Sequence, residues 1–343
     1  MSGVTRMQRE LWPDRIKLFA CILVAVGHFF MSMTSSGILA ETLLCTWFVT
    51  TIYYFHVPLF FICSGYLYQK GSSINTFSAW KNNIIKKAII LGIPYFAFSM
   101  VTWGLKAIFA SSVNNQNSGF LETLFLSPAS PYWYLYVLFF VFAVTPTFAN
   151  KKVAYIGVAC ALIMKAARII FAEYSWPYIV SKIAENEIWF VSGIALSVWE
   201  LPLRWRSQKC VRAAHLCGMF FLVCSVAIMF MDIKAGMVSF LMGIIGCLAV
   251  VLAAFNQSDN GTMRKHVAFL SQYTMPVFLM HTIFAAGTRA VLLKMGIDDP
   301  LVHIVLGLTA SFTGPIAATE IMKWMKIDFL IYPGKLLRKV RVK

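Results

Sequence analysis

Residues 213–255 read AAHLCGMFFLVCSVAIMFMDIKAGMVSFLMGIIGCLAVVLAAF, two long apolar runs joined by a short polar link. The runs are continuous and do not alternate with a period of two, so they predict helices and not the strands of an outer-membrane barrel. Each run is about 20 residues long, the length that an α-helix needs to cross the hydrocarbon core of a bilayer. This stretch therefore predicts two membrane-spanning helices, at 213–231 and 235–255.

The composition extends this pattern to the whole chain. Of its 343 residues, 59% are hydrophobic and 13% are charged, which is about half the ~25% charged fraction of ordinary globular proteins. Intrinsic disorder is therefore excluded, and so is a disulfide scaffold, because the eight Cys have no framework spacing. A net charge of +16 often indicates nucleic-acid binding. Here the basic residues lie in short clusters between apolar runs, so we expect contact with membrane lipids and not with nucleic acid.

Apolar runs elsewhere in the chain bring the predicted number of spans to ten. The predicted fold is an all-α, polytopic integral membrane helical bundle. Its spans are predicted at 16–33, 43–68, 88–109, 132–148, 153–171, 187–201, 213–231, 235–255, 268–289 and 301–322. The fifth and sixth spans are the least regular, because polar residues crowd between them. These are Lys165, Arg168, Glu173, Glu185 and Glu187.

The distribution of Lys and Arg predicts the direction of the spans. With a cytoplasmic N-terminus, the inner segments hold about 23 of the 30 Lys and Arg residues, a ratio of roughly three to one over the outer segments. This bias predicts that both termini are cytoplasmic, which requires an even number of spans. We expect one transmembrane domain over residues 1–343, with short cytoplasmic tails, in the cell (inner, cytoplasmic) membrane.

Asp14, Lys17 and His28 form a polar stripe on the first span. His28 follows Lys17 by eleven residues, which places the two side chains about 20° apart around the helix and ~16 Å apart along it. Asp14 and Lys17 are helical neighbours. An ionisable side chain inside a bilayer costs several kcal/mol unless it is paired, so such residues are candidates for function. We assign His28, Lys17 and Asp14 to a candidate catalytic site.

The second span carries His56 followed by Pro58, which removes a helical hydrogen bond. Two interpretations remain open for His56: it bonds a carbonyl that the proline frees, or it lines the same cavity as His28. Gly65 of this span allows another backbone to approach closely.

His281 is a third candidate for the site. Three His residues can bind zinc, but none has the spacing of a metal motif, and no metal is expected. Arg168 and Glu320 are either functional or ordinary interfacial charges. His215, His266 and His303 lie near span ends or in a loop, where no special role is needed.

The longest predicted outer loop, 110–131, either faces substrate or is only a connector. It ends in the polar run from Ser127 to Pro131. The Trp and Tyr residues at 132–136 that follow it are typical of an aromatic belt at the membrane boundary.

Two motifs resemble those of the acyltransferase-3 family of membrane acyltransferases. The first reads Asp14-x-x-Lys17-x-x-Ala20, then Val24 and Gly27-His28, and the second runs from Phe55-His56-Val57-Pro58 to Ser64-Gly65-Tyr66. Weaker landmarks are Tyr132-Trp133-Tyr134-Leu135 and the segment from Tyr273 to His281. The resemblance covers essentially the whole chain. The family usually has Arg where this chain has Lys17, which keeps the charge but loses the bidentate geometry.

The resemblance implies that an acyl group, commonly acetyl, moves from cytoplasmic acyl-CoA to a hydroxyl of a cell-surface or lipid-linked glycan. Acetyl-CoA is then the co-substrate. We expect His56, Ser64, His281 and Trp133 to bind substrate. His28 acts either as a general base on the acceptor hydroxyl or through a transient acyl-His intermediate. Lys17, oriented by Asp14, attracts the CoA phosphates, and the nearby Lys81, Lys86 and Lys87 assist.

Two other function classes remain as alternatives. A secondary transporter or flippase for a polar solute or lipid-linked sugar also suits mid-membrane His residues and Pro-interrupted helices. The other alternative is an inactive sensor or assembly protein that retains the fold. The sequence has no P-loop, which argues against an ATP-driven pump.

Overall fold

The computed structural model describes residues 10–72, 74, 76–109, 119–231, 233, 235–257 and 260–340. Over these residues the chain is helical and contains no strand, which confirms the predicted all-α class. Residues 110–118, which belong to the predicted outer loop 110–131, lie outside the described part.

Fifteen α-helices make up the described fold, and their bounds follow. They are α1 Trp12–Ser35, α2 Leu43–Tyr53, α3 His56–Gly71, α4 Phe77–Lys87, α5 Ile93–Ile108, α6 Trp133–Val144, α7 Lys151–Ile170, α8 Tyr178–Val198, α9 Leu201–Arg204, α10 Gln208–Met231, α11 Gly236–Asn256, α12 Gly261–Ser271, α13 Thr274–Lys294, α14 Pro300–Trp324 and α15 Gly334–Val340. Two π-helical turns, Ala88–Gly92 and Glu122–Leu126, and a 3-10 turn, Asp328–Leu330, complete it.

Side-chain caps fix where several of these helices begin. In each case the oxygen of the residue before the helix accepts a hydrogen bond from the backbone N–H three residues later, at 2.9–3.2 Å. Such a cap satisfies one of the amides that a helix start leaves without a helical partner. The capping residues are Thr42, Thr76, Asn150, Asn260 and Asp299.

Eight helical segments of the described chain are long and apolar enough to cross a membrane. Of the ten predicted spans, the fourth and the sixth are not among them. The fourth corresponds to α6, which has only 12 residues instead of the predicted 132–148. The sixth corresponds to α8, which has 21 residues but begins at Tyr178 instead of 187 and contains Lys182, Glu185 and Glu187.

Two of the eight segments depart from a regular α-helix. The predicted span 43–68 is divided at Tyr54 and Phe55 into α2 and α3. The predicted span 88–109 begins earlier, because α4, the π-helical turn Ala88–Gly92 and α5 form one continuous segment from Phe77 to Ile108. Pro94, which has no N–H to donate, closely follows the π-helical turn, and both features make this continuous segment irregular.

The helices pass alternately up and down, so the bundle has two faces. We call the end at which α1 begins the N-terminal face and the other end the far face. Contacts between consecutive passes confirm the alternation at the N-terminal face: Lys70 at the end of α3 binds Glu10 just before α1, 2.5 Å apart. Tyr332, which follows α14, donates to the Gln272 carbonyl just before α13, at 2.6 Å.

Close backbone contact holds α3 against α8. A Cβ atom added at Gly65 would collide with the Phe190 carbonyl oxygen, and one added at Gly193 would collide with the Ile62 carbonyl oxygen. Small residues permit this approach between membrane helices, where packing and not the hydrophobic effect drives association. The expected close approach at Gly65 is therefore confirmed, and α8 is its partner.

Candidate active site

A small cavity lies inside the bundle, between α1, α3, α6 and α13. Its volume is about 20 Å³, enough for a water molecule but not for an acyl chain. The lining includes two of the three candidate imidazoles, His28 and His56, together with the rings of Phe60, Trp133, Tyr134 and Phe278. The site therefore combines an apolar wall with acid–base groups.

The stripe predicted on α1 faces into the bundle. Val24 and His28 line the cavity, and Cys21, one turn before Val24, is buried and donates to the Thr274 carbonyl at 3.3 Å. Asp14 and Lys17 lie at the N-terminal face, within electrostatic range of the Cys63 thiol on α3. The cavity includes His28 but does not extend to Lys17 or Asp14.

Of the two interpretations left open for His56, the structure supports the one in which it lines the same cavity as His28. Its Nδ1 lies 2.7 Å from the Ile52 carbonyl oxygen, which can only accept, so Nδ1 is the donor. The proline does not free this carbonyl, because the N–H that Pro58 lacks would pair with Tyr54, four residues earlier. The Ile52 carbonyl also accepts from the Phe55 N–H at 3.3 Å. The same imidazole lines the cavity beside His28, with Tyr53 packed against its ring at 4.6 Å between centroids.

His281 is fixed in the same way from α13. Its Nδ1 donates to the carbonyls of Val277 and Phe278, at 2.8 and 3.0 Å. Its ring centroid lies 5.4 Å from that of His28. The Nε2 atom of His281 is buried and has no hydrogen-bond partner among the described residues. Because Nδ1 carries the proton of the neutral ring, Nε2 can accept one.

His28 differs from the other two imidazoles in what it bonds. Its hydrogen-bond partner in the described chain is not a main-chain carbonyl but the hydroxyl of Ser130, with Oγ 3.4 Å from Nε2. Ser130 is exposed, and Pro131 after it lines the cavity. The segment just before α6 therefore enters the bundle from the far face. Non-helical backbone at membrane depth is tolerated where it lines such a cavity.

Three aromatic rings close the cavity toward the N-terminal face. Phe60 and Phe278 lie one turn closer to that face than His56 and His281. Tyr134 packs between them, with centroids 5.6 and 5.7 Å from theirs. Ser64 lies one turn further toward that face and bonds the Tyr134 hydroxyl at 3.2 Å. Ser64 thus holds this aromatic floor in place and is not part of the cavity lining.

Trp133, which is assigned to substrate binding, lines the cavity. The aromatic-belt interpretation of its neighbours is wrong, because Tyr132 and Tyr134 are buried in the bundle. The Tyr132 hydroxyl lies 2.7 Å from that of Thr102 and donates to the Leu279 carbonyl at 3.0 Å. These rings fix the start of α6 against α13.

The basic residues near Lys17 belong to a helix and not to a loop. Lys86 and Lys87 lie in the last turn of α4. Lys87 Nζ sits 3.5 Å from the centroid of the Phe142 ring and within electrostatic range of Lys17. Positive charge is therefore concentrated on the N-terminal side of the aromatic floor.

The three imidazoles are not arranged as a metal site. Over the residues that the structure describes, no group of three or more His, Cys, Asp or Glu side chains has the geometry to hold a metal ion. His56 and His281 each have a fixed Nδ1 donor, and His28 and His56 line the cavity, an arrangement that suits proton transfer.

These features define a multi-pass helical membrane protein with an acid–base site enclosed in its bundle. A family model described as an acyltransferase domain (Acyl_transf_3) matches residues 10–320, nearly the whole chain. The protein belongs to the acyltransferase-3 family. No curated protein and no solved structure matches it significantly.

Sequence reasoning missed one residue of this site, Ser130. The run from Ser127 to Pro131 was identified only as the end of a loop. A signal for Ser130 was nevertheless present in the sequence, because this polar, proline-containing run directly precedes the unusually short apolar stretch of α6.

Proposed function

We propose that this membrane acyltransferase moves an acyl group, acetyl in the simplest case, from cytoplasmic acyl-CoA to a hydroxyl of a cell-surface or lipid-linked glycan. The observation that carries the proposal is His28. It is the imidazole of the three that is not tied to a main-chain carbonyl among the described residues, and an exposed hydroxyl already occupies the position beside its Nε2. An acceptor hydroxyl at this position would lie within reach of a general base.

The proposed step balances with His28 as the proton carrier. Nε2 takes the proton of the acceptor hydroxyl while its oxygen attacks the thioester carbonyl. The C–O bond of the ester forms and the C–S bond breaks. His28 then returns the proton to the departing thiolate, so the products are the ester and free CoA. This route needs no covalent enzyme intermediate, and an acyl-His28 intermediate remains the alternative within the same reaction.

The donor is proposed to bind at the N-terminal face, which the charge distribution predicts to be cytoplasmic. Lys17 and Lys87 offer cations to the CoA phosphates there, and Asp14 orients Lys17 as its helical neighbour. Because the aromatic floor separates these cations from His28, the acyl arm must displace the rings of Phe60, Tyr134 and Phe278 to reach the imidazole.

The second candidate function is transport of a polar solute or lipid-linked sugar. The observation that favours it is the break between α2 and α3 at His56, because transporters bind substrate at discontinuous helices. Release of CoA thiol distinguishes the two functions, since a transporter has no reason to cleave a thioester.

The test measures free thiol released from acetyl-CoA by the purified protein in the presence of glycan extract, and the acyl ester on that glycan by mass spectrometry. We expect His28→Ala to lower the rate by about 10²–10⁴-fold, the usual worth of a general base. Lys17→Gln should raise KM for acetyl-CoA more than it lowers kcat. The matched control is His215→Ala, an exposed imidazole on α10. Equal rates for wild type and His28→Ala, at equal amounts of folded protein, would refute the assignment.

A further inference from the structure

Three cations surround one carboxylate between α7 and α8. Lys182 Nζ lies 2.8 Å from one oxygen of Glu185, and Arg168 lies 3.4 Å from the other. Lys165 Nζ donates to the Glu185 main-chain carbonyl at 3.1 Å. We call Lys165, Arg168 and Lys182 the α7–α8 cation cluster. Within the described chain, Glu185 is the acidic side chain that these cations contact, so the cluster carries a surplus of about two positive charges.

The cluster lies inside the bundle region near the far face. Lys182 is one turn into α8, about 6 Å from its first residue, and Lys165 is ~7 Å before the end of α7. The side chains of Arg168, Lys182 and Glu185 are only 23–30% exposed. Uncompensated charge at such a depth is costly, so it indicates a function.

The cluster is adjacent to the cavity that holds His28. Lys182 Nζ lies 5.4 Å from the centroid of the Trp133 ring, and Trp133 lines that cavity. A molecule that places a hydroxyl beside His28 and extends along Trp133 therefore brings its other end to Lys182. Ser130, the exposed residue beside His28, shows that this approach from the far face is open.

Charge and geometry favour a phosphate group as the ligand. The linkage between a lipid and a sugar uses up the second acidic group of a phosphate, so each linking phosphate carries about −1 charge at neutral pH. A diphosphate linkage, with about −2 in all, matches the surplus, whereas a carboxylate or a single phosphodiester would leave about one positive charge uncompensated. Arg168 uses its Nε for the Ser181 hydroxyl at 2.8 Å and retains further guanidinium donors, which suit phosphate oxygens.

We propose that the α7–α8 cation cluster binds the phosphate of the acyl acceptor, and that the acceptor is a phosphate-bearing, lipid-linked sugar that approaches from the membrane. This inference rests on the proposed transferase function, because it identifies the acceptor class for the site at His28. The partial burial of the cluster within the bundle near the far face favours a lipid-borne phosphate over one free in solution.

The test measures binding to the full-length protein in a neutral detergent, without acyl-CoA. The probes are a long-chain prenyl phosphate, the corresponding prenol without phosphate, phosphatidylglycerol and inorganic phosphate. We expect the prenyl phosphate to bind most tightly, and Lys182→Gln to weaken it about ten- to a hundredfold, the usual loss when a charged hydrogen bond is removed. Lys182→Arg should retain most of the affinity.

The control variant is Lys152→Gln, which removes the same charge from the exposed start of α7 at the N-terminal face. Its affinity for prenyl phosphate should equal that of wild type. Lys182→Gln is expected to fold, because Arg168 and Ser181 still contact Glu185. Equal stability of the two variants without probe confirms this.

Several results would overturn the inference. Equal binding of the prenol and the prenyl phosphate would exclude a phosphate site. Equal binding of phosphatidylglycerol or inorganic phosphate would show an ordinary headgroup or free-anion site and not an acceptor site. An unchanged affinity in Lys182→Gln would place the ligand elsewhere.

The binding test and the thiol-release test of the proposed function can fail independently of each other. Suppose that prenyl phosphate binds as expected but that the wild-type protein releases no thiol from acetyl-CoA. The phosphate site then stands and the transferase proposal is wrong. If thiol release depends on His28 but no phosphate-bearing lipid binds, the acceptor class is wrong and the transferase proposal stands.

Discussion

At the scale of single residues, the three imidazoles of the site are chemically alike but differ in their surroundings. His56 and His281 each donate from Nδ1 to a carbonyl of their own helix segment, which fixes the ring and its tautomer. His28 bonds the Ser130 hydroxyl instead. Its ring is thus the one of the three that can exchange its partner for a substrate hydroxyl without exposing a carbonyl.

Ser130 is expected to position the acceptor or the imidazole. Replacing Ser130 by Ala removes one neutral hydrogen bond, usually worth 0.5–1.5 kcal/mol, so we expect kcat to fall about three- to tenfold. Ser130→Thr keeps the hydroxyl and should restore most of the rate, a result that a purely structural role does not require. Steady-state kinetics of thiol release measure both variants.

The control for this prediction is Ser127→Ala, an exposed serine of the same segment. If Ser130→Ala and Ser127→Ala both react at the wild-type rate, the Ser130 hydroxyl has no part in the site.

Through Glu10, the stability of the fold is expected to decrease at acidic pH. Burial alone would raise the pKa of Glu10, but hydrogen bonds from Lys70, Tyr66 and Trp12 outweigh this, and its pKa is lowered from 4.5. A carboxyl with a lowered pKa stabilises the fold above its unfolded-state pKa, and this stabilisation is lost as the pH falls through the folded-state value. We expect wild type to unfold at a higher temperature than Glu10→Gln at pH 7.

The difference in unfolding temperature should shrink as the pH falls below about 4.5 and vanish once Glu10 is protonated. Because the Glu10 and Lys70 side chains are about one third exposed, the difference should be small and should decrease with added salt. A difference that is constant from pH 7 to pH 3 would contradict the role given to the carboxylate.

Helical periodicity accounts for the part of the site that the sequence could predict. The spacing of Lys17 and His28 on one helix places them on one stripe whatever surrounds the helix. In the structure His28 lines the cavity and Lys17 is half-buried at the N-terminal face. The contact between Ser130 and His28 is different in kind. It depends on how a segment 102 residues away along the chain enters the bundle, which no local pattern reports.

At the scale of helices, α3 and α8 meet through backbone and not through side chains. The colliding atoms at Gly65 and Gly193 are carbonyl oxygens, which cannot rotate away as a side chain can. The same crossing places His56 of α3 opposite α6 and α13. The geometry of the cavity therefore depends on this glycine pair.

Gly193→Ala should destabilise the bundle strongly. Overpacking usually costs about 1–3 kcal/mol, and a backbone collision should be at or above the top of that range. We expect a lower unfolding temperature and less folded protein on size exclusion. Gly218→Ala on α10 is the matched control, because no atom of the described residues lies within 4 Å of the added Cβ. Equal stability of the two variants would show that the crossing can relax.

Charged residues explain why the sixth predicted span was misplaced. Glu185 is predicted among the polar residues between the fifth and sixth spans, yet it lies in α8, where it pairs with Lys182 and Arg168. A hydropathy pattern does not show which charged residues pair with each other. The fourth span differs for another reason: α6 ends at Val144, because Thr145 is extended and residues 145–148 are not helical.

At the scale of the whole molecule, the two faces of the bundle divide the proposed reaction. Lys17 and Lys87 lie toward the N-terminal face, and the α7–α8 cation cluster lies toward the far face. His28 and the aromatic floor lie between them. A donor and an acceptor that arrive from opposite faces would therefore meet at the imidazole without sharing a route.

This division requires that the N-terminal face is cytoplasmic, and α7 allows a direct test. Lys152 at its start and Glu173 just after its end are both exposed, and the 20 residues of α7 separate them by about 30 Å, a full membrane core. In a variant without native cysteines, an impermeant maleimide applied to intact cells should label Glu173→Cys. It should label Lys152→Cys only after permeabilisation. The reverse pattern would place Lys17 outside the compartment that holds acyl-CoA, and its assignment to donor binding would fail even if His28 proved essential.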